Sequence, residues 1–217
     1  MTFWGILIIL AKGAGYTLVV TIAGMSAALA VGLILAVLGT LPWKPLRWFL
    51  IAYTYVFRSI PLLVLLFIVF FGLPGLGIRI PPFLSMVLSL GLVSGAYLAE
   101  IFRGAMAAVS PDEMVAAEAM GMRRGQIFLY ILLPQMLRMS VPGMINEFTS
   151  ILKYTPFAYT VGIPEIMKEA MSLAALTLRG LEIYLAAGIL YYVIYKMCVT
   201  LFMTLQKRLR IPGFAGE

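Results

Sequence analysis

The sequence predicts an all-α integral membrane protein of about five transmembrane helices, and three observations carry that reading. Apolar residues make up 63% of the 217 and charged residues 12%, with a mean hydropathy of +1.03, well outside the range of a soluble domain. A soluble chain this short cannot cover so much apolar surface, so lipid must do it. The apolar residues also fall into stretches near the ~20 needed to cross the hydrocarbon core, separated by proline- and glycine-rich turns. Finally, the net charge of +7 comes from basic residues gathered at stretch ends, the pattern of a membrane topology signal.

Taken in order, Met1 to Leu10 is apolar and either packs along the membrane surface or extends the first span. With Lys12, Gly13 and Gly15 it lacks the basic start, short apolar core and small-residue cleavage site of a removable signal. The first span runs from about Thr17 to Leu41 and ends at Pro42-Trp43-Lys44-Pro45. The second runs from Trp48 to Leu73 and ends at Pro74-Gly75-Leu76-Gly77. The third covers Phe83 to Phe102, and the fourth Ile127 to Leu152, interrupted by Pro134 and Pro142. The fifth covers Ile183 to Leu205, closed by Lys207, Arg208 and Arg210. Residues 154–182 read as an outer-face connection dipping toward the bundle, with a short helix from Pro164 onward, where proline suits a first turn.

Lys44, Arg47, Arg103, Arg123, Arg124, Lys207, Arg208 and Arg210 then share one side. The positive-inside rule makes that side cytoplasmic, with the N-terminus outside and the C-terminus inside. The other side carries Lys12, Arg79, Lys168 and Arg179, balanced by Glu165, Glu169 and Glu182. Trp43 and Trp48 read as interfacial anchors. One cysteine, Cys198, excludes an internal disulfide, and the absence of histidine excludes imidazole catalysis and histidine metal sites. The 14 methionines are scattered, as packing residues are, and form no metal pathway.

The segment between the third and fourth spans is unlike the rest. Asp112, Glu113, Glu118, Arg123 and Arg124 sit among alanines and a glycine between apolar stretches. Its alanines predict a short helix from Pro111 or Asp112 to Met120, capped by Ser110 or Asp112. Gly121 ends it or permits close backbone approach. A second helix resumes at Arg123 and runs into the membrane, bent by Pro134. Such a pair either docks in a partner's groove or lies on the lipid surface.

Ala116 and Ala117, then three residues, Gly121, nine residues, Ile131, one residue, and Leu133-Pro134 match a known register. It resembles the cytoplasmic loop of membrane subunits of bacterial ABC importers, with Val115 where that family usually has glutamate. Arg58-Ser-Ile-Pro61-Leu-Leu with Phe70-Phe-Gly-Leu-Pro74, and Ala96-Tyr-Leu-Ala-Glu100-Ile-Phe-Arg103-Gly, resemble segments of the polar amino acid permeases. So do Leu133-Pro-Gln135, Asn146-Glu147-Phe, Lys153-Tyr-Thr155, Val161-Gly-Ile-Pro164-Glu and Leu209-Arg-Ile-Pro-Gly-Phe214. The resemblance covers most of the chain from Pro42 onward and is specific as a set.

That resemblance implies a single permease domain over residues 1–217, with the five-helix core of a type I ABC importer in the bacterial inner membrane. The cytoplasmic loop, about 104–126, would be a two-helix coupling element. Its coupling residues would be Ala116, Ala117, Glu118, Gly121, Arg123, Ile131, Leu133 and Pro134. The implied partners are a dimer of ATP-binding subunits, a second permease subunit of the same or a related kind, and an external solute-binding protein that delivers an amino acid. The chain lacks a phosphate-binding Gly-rich Lys-Ser/Thr loop, so ATP and Mg belong to the partner and this chain is a passage rather than an enzyme. Glu113 or Glu118 would replace the missing glutamate, unless the partner's groove accepts an apolar residue.

Polar groups inside spans mark substrate chemistry, because unpaired charges in lipid are costly. Glu147, with Asn146, is the candidate for a substrate ammonium; the bland alternative is an ion pair with Arg58 or Lys153. Arg58 would meet a carboxylate bidentately or pair with an acid such as Glu100. Glu100 and Arg103, three apart on one helix face, predict a local ion pair. Tyr154 and Thr155 stand where the family has Asp-Thr, seven residues after Glu147 and two turns along the same face. The lost aspartate favours a neutral or acidic amino acid over arginine or lysine. Tyr97 completes the set. An ion-driven secondary transporter or channel is the rival from another class, and it predicts an inverted repeat that is not visible. A purely structural subunit would not carry Arg58, Glu100 and Glu147 in its bundle.

Overall fold

The computed structural model describes residues 2–209, with side chains to 204, and among these there are helices and turns but no strand. Lys207, Arg208, Arg210 and the stretch 209–214 used above lie outside the side chains described.

Helix α1 (Phe3–Ala11) is a separate element, set off from the first span by a turn. Thr2 caps it by accepting from the Gly5 N–H at 3.3 Å. Ile6 and Leu10 bury against Ile166, Ala170 and Ile183 of later helices, forming a small second core. After a turn at Lys12–Gly13, α2 (Ala14–Leu38) provides 25 residues, about 37 Å of helix, enough to cross a bilayer.

The predicted second span is broken. Instead of one helix from Trp48 to Leu73, α3 (Lys44–Ser59) and α4 (Leu62–Phe67) meet at a bend of 100°. Pro61 is the cause: it withdraws an N–H and drives Ile60 into an extended conformation (φ −82, ψ 127). The chain then passes through a widened turn (Ile68–Gly72) and a tight one (Leu73–Leu76), closing at Gly77 with φ +82. Among the described residues, four helices are long and apolar enough to span, or five if the bent pair is one span.

Helix α5 (Pro82–Ala107) is the centre of the bundle: 61% of its apolar window is buried, against 11% in the last helix. It runs parallel to α2 along a seam of small residues. A Cβ on Gly95 would sit 2.6 Å from the Val31 side chain, and one on Gly32 would sit 2.7 Å from the Leu98 Cβ. Membrane helices approach closely in this way, because small residues let dispersion contacts and backbones meet.

Helix α6 (Pro111–Ala119) is capped by Ser110, which accepts from the Asp112 N–H at 3.3 Å, with Pro111 in the first turn. Gly121 adopts φ +80, a left-handed stop that favours glycine. The chain resumes at α7 (Arg124–Ile127), passes a widened turn (Phe128–Leu132) and continues as α8 (Leu133–Tyr154). Pro134 therefore leaves the helical run unbroken. The Leu133 N–H bonds the Phe128 carbonyl five residues back, a wide turn that makes room for a ring opposed by the carbonyl four residues back. The same device, Leu73 N–H to Ile68 carbonyl, precedes Pro74. Pro142 is accommodated inside α8 without a break.

A tight turn (Thr155–Val161) closes at Gly162, φ +92. Helix α9 (Ile166–Thr177) starts after Glu165 rather than at Pro164, and α10 (Gly180–Leu209) ends the described chain.

Candidate functional site

Hydroxyls buried in the spans mostly return their proton to the carbonyl one turn back: Thr21 to Thr17 at 2.7 Å, Ser89 to Ser85 at 2.8 Å, Ser140 to Met136 at 2.7 Å. Ser94 on α5 is the exception, with a buried Oγ that meets no partner at hydrogen-bond geometry among the described residues. The polar group it faces is the Glu147 carboxylate on α8. Glu147 is itself only 6% exposed.

Neither ion pair offered as the alternative for Glu147 forms. Lys153 sets its Nζ over the Tyr195 ring, 5.4 Å from the centroid. The Arg58 guanidinium sits over the Tyr97 ring at 5.0 Å. Glu100 pairs instead with Arg103, as the three-residue spacing predicted, so it is no partner of Arg58. The Tyr97 hydroxyl donates to the Arg58 carbonyl at 3.3 Å. That acceptor is free because the break at Pro61 ends α3 and orphans its last carbonyls.

Tyr154 lies within electrostatic reach of both Glu147 and Tyr97, and its ring stacks on Phe157 with centroids 6.3 Å apart. Arg58 over Tyr97, and Tyr154 within electrostatic range of Tyr97 and Glu147, make a loose row of groups from α3, α5 and α8, with a guanidinium at one end and a carboxylate at the other. Asn146 and Thr155 stand apart from it. Asn146 is exposed, one residue and ~100° around the helix from Glu147, and its carbonyl accepts from Thr149 and Ser150. Thr155 is buried, and its hydroxyl already donates to the Leu152 carbonyl at 2.7 Å.

The loop residues divide in the same manner. Val115 is 64% and Met120 75% exposed, whereas Ala117 is buried and so holds α6 against the chain itself. Ala116, Glu118, Gly121, Arg123 and Pro134 are exposed; Ile131 and Leu133 are half-buried. Of the two acids offered in place of the missing glutamate at Val115, Glu113 accepts from the Gln135 Nε2 on α8. Glu118 has no such tie among the described residues, which leaves its carboxylate free toward solvent.

A second buried carboxylate escaped the sequence reading. Glu165 is fully buried at the start of α9. It accepts from the Lys168 N–H at 2.9 Å and from the Tyr191 hydroxyl of α10, with the Met167 N–H close by. Burial pushes its carboxyl above the usual range and these donors pull it back. The Ile166 N–H reaches the Thr17 Oγ1 at 3.5 Å. A Cβ on Gly13 would lie 2.5 Å from the Glu165 carbonyl carbon. A glutamate just ahead of a helix is a readable cap signal; its Tyr191 partner, 26 residues away, is not.

Residues 28–211 match the profile of the family described as the binding-protein-dependent transport system inner membrane component. The arginine transport system permease protein ArtQ of Bacillus subtilis (strain 168) is 31% identical over 200 residues, 92% of this chain and 91% of that protein. The L-cystine transport system permease protein TcyB of the same organism is 32% identical, over 96% and 88%. The glutamine transport system permease protein GlnP of Escherichia coli (strain K12) is 28% identical, over 96% of each. Among solved structures, an amino acid ABC transporter crystallised with histidines superposes with a TM-score of 0.87 at 28% identity, covering 96% of this chain and 99% of that one. The MetNI methionine ABC transporter superposes at 0.80 and 19% identity, a likeness of fold.

Proposed function

The chain belongs to the inner-membrane components of binding-protein-dependent transport systems, and from that membership we propose that it forms half of the passage for a polar amino acid with a neutral or acidic side chain. The observation that carries this reading is the row from Arg58 to Glu147. A buried carboxylate without an ion pair among the described residues is expensive in a membrane and is retained where it does work. A polar amino acid supplies what either end of the row lacks, its ammonium for Glu147 or its carboxylate for the Arg58 fork. Tyr97 and Tyr154 line the interval, and an aromatic hydroxyl at Tyr154 favours a side chain without positive charge. Thr155 and Asn146 are secondary candidates, since Thr155 is already bonded and Asn146 faces away.

Energy would enter through α6, Gly121 and α7. Two copies of an ATP-binding subunit, carrying ATP and Mg, would dock on the exposed residues Val115, Ala116, Glu118 and Met120, with Arg123 beside them and Ile131, Leu133 and Pro134 passing the motion into α8. Residues 104–126 are then the cytoplasmic coupling element and 154–182 the outer-face connection, with the N-terminus outside and the C-terminus in the cytoplasm. A second permease subunit would complete the passage, and an external solute-binding protein would load it. ATP binding and hydrolysis would alternate the pair between outward- and inward-facing states.

The decisive variant is Glu147→Gln in the purified, vesicle-reconstituted transporter. Losing a charge-assisted contact worth ~2–3 kcal/mol predicts uptake lower by roughly 30- to 160-fold, with an ATP-hydrolysing subunit still co-purifying. Unchanged uptake would remove Glu147 from the site. Substrate-stimulated ATP hydrolysis measured across the amino acids then identifies the cargo.

A further inference from the structure

One cleft lies away from Glu147. It has a volume of about 540 Å³ and opens where α2 ends, α3 begins and α5 ends. Its rim carries Trp43, Lys44, Arg47 and Arg103, with Glu100 as the one carboxylate. Glu100 is paired with Arg103 on its own helix. Neither Lys44 nor Arg47 makes an ion pair among the described residues, and both are exposed. The α3 N-terminus beside them has no side-chain cap, so its first N–H groups and dipole add to the positive rim.

We infer that this cleft is a site for an anionic phospholipid, whose phosphate is held by Lys44, Arg47 and Arg103 and whose acyl chain lies against α2 and α3. The walls select lipid over a free anion. Below the rim they are formed by Leu35, Leu50, Ile51 and Leu132. Along α3 the lining continues from Lys44 to Thr54, about 15 Å of helix. A free phosphate would use the rim and leave those walls uncovered, whereas an acyl chain removes them from water and fills the cleft. Basic pockets between membrane helices next to an exposed interfacial tryptophan, here 61% exposed at Trp43, suit phosphodiester headgroups. The inference rests on the membrane setting and the cleft, not on the amino acid reading, so either can fail alone.

The test uses the full-length chain, purified in detergent with the subunits that accompany it and given phosphatidylglycerol, phosphatidylcholine or inorganic phosphate. Bound lipid is counted by native mass spectrometry. Phosphatidylglycerol should be retained in preference to phosphatidylcholine on the unaltered chain. Each basic group near the surface is worth roughly fivefold in affinity, so Lys44→Gln with Arg47→Gln should cut the preference at least about tenfold. Lys44→Arg with Arg47→Lys should keep it. Equal retention of the two lipids overturns the inference, as does a preference that survives the glutamine pair. Displacement of the lipid by millimolar inorganic phosphate overturns it in favour of a bare anion site.

Discussion

Glu147 and Glu165 are both carboxylates withdrawn from solvent, 6% and 0% exposed, yet their surroundings differ. Glu165 receives a backbone N–H of its own helix and the Tyr191 hydroxyl from α10, while Gly13 lets the chain behind it close to contact distance. Glu147 faces one hydroxyl, Ser94, at less than bonding geometry, and one tyrosine, Tyr154, within electrostatic reach. Burial alone therefore does not mark a functional acid. A saturated carboxylate stabilises the fold it sits in and is costly to remove; one left short of partners is costly to keep, and is tolerated where a ligand completes it.

The comparison is open to attack at several points. The largest effect should come from Glu165→Ala, which strands the Tyr191 hydroxyl and the first N–H groups of α9 and removes their cap. A loss of ~3–5 kcal/mol is expected, read as a sharp fall in melting temperature and yield of the purified protein. Glu147→Gln should leave that melting temperature nearly unchanged; if it destabilises as much as Glu165→Ala, the contrast fails. Next is Gly13→Ala, whose new methyl must push the Glu165–Ile166 backbone away, for about 1–3 kcal/mol. A wild-type melting curve for this variant would show that the α1–α2 turn is looser than the contact implies. The mildest is Tyr191→Phe, which removes one donor and leaves the backbone N–H groups in place. It should cost about 1 kcal/mol in the same melt, with uptake intact; lost uptake with an unaltered melt would make Glu165 part of the working site.

Much of the loop and of the spans was legible beforehand, for local reasons. Ser110, Pro111 and Gly121 act within one or two turns of themselves, so the α6 cap and stop could be read from residue type. Glu100 and Arg103 pair because three residues bring them to one face. The second span was misread for the opposite reason. Composition there is continuously apolar, and the residue type alone does not tell the 100° bend at Pro61 from a mild kink. Pro134 and Pro142 carry the same residue type and leave their helix unbroken.

The site shows the same division. The seven-residue spacing already put Glu147 and Tyr154 on one face of α8, because it equals nearly two turns. Nothing local announced Ser94, which is one of many serines in spans and differs only in lacking a carbonyl partner. Nor did anything local choose among the possible partners of Arg58, which settled over Tyr97 rather than against Glu100 or Glu147.

By itself, then, the sequence determined the membrane as solvent, the helices and their caps, and the family to which the chain belongs. Each depends on hydropathy, short-range geometry or motif register, quantities that are complete within a few turns of chain. Tertiary structure alone decided which buried acid is saturated, where the second span breaks, and that Lys44, Arg47 and Arg103 ring one cleft. Those outcomes depend on which groups from distant helices come within bonding distance, and in a low-dielectric interior a single donor gained or missed decides whether a charge is scaffold or site.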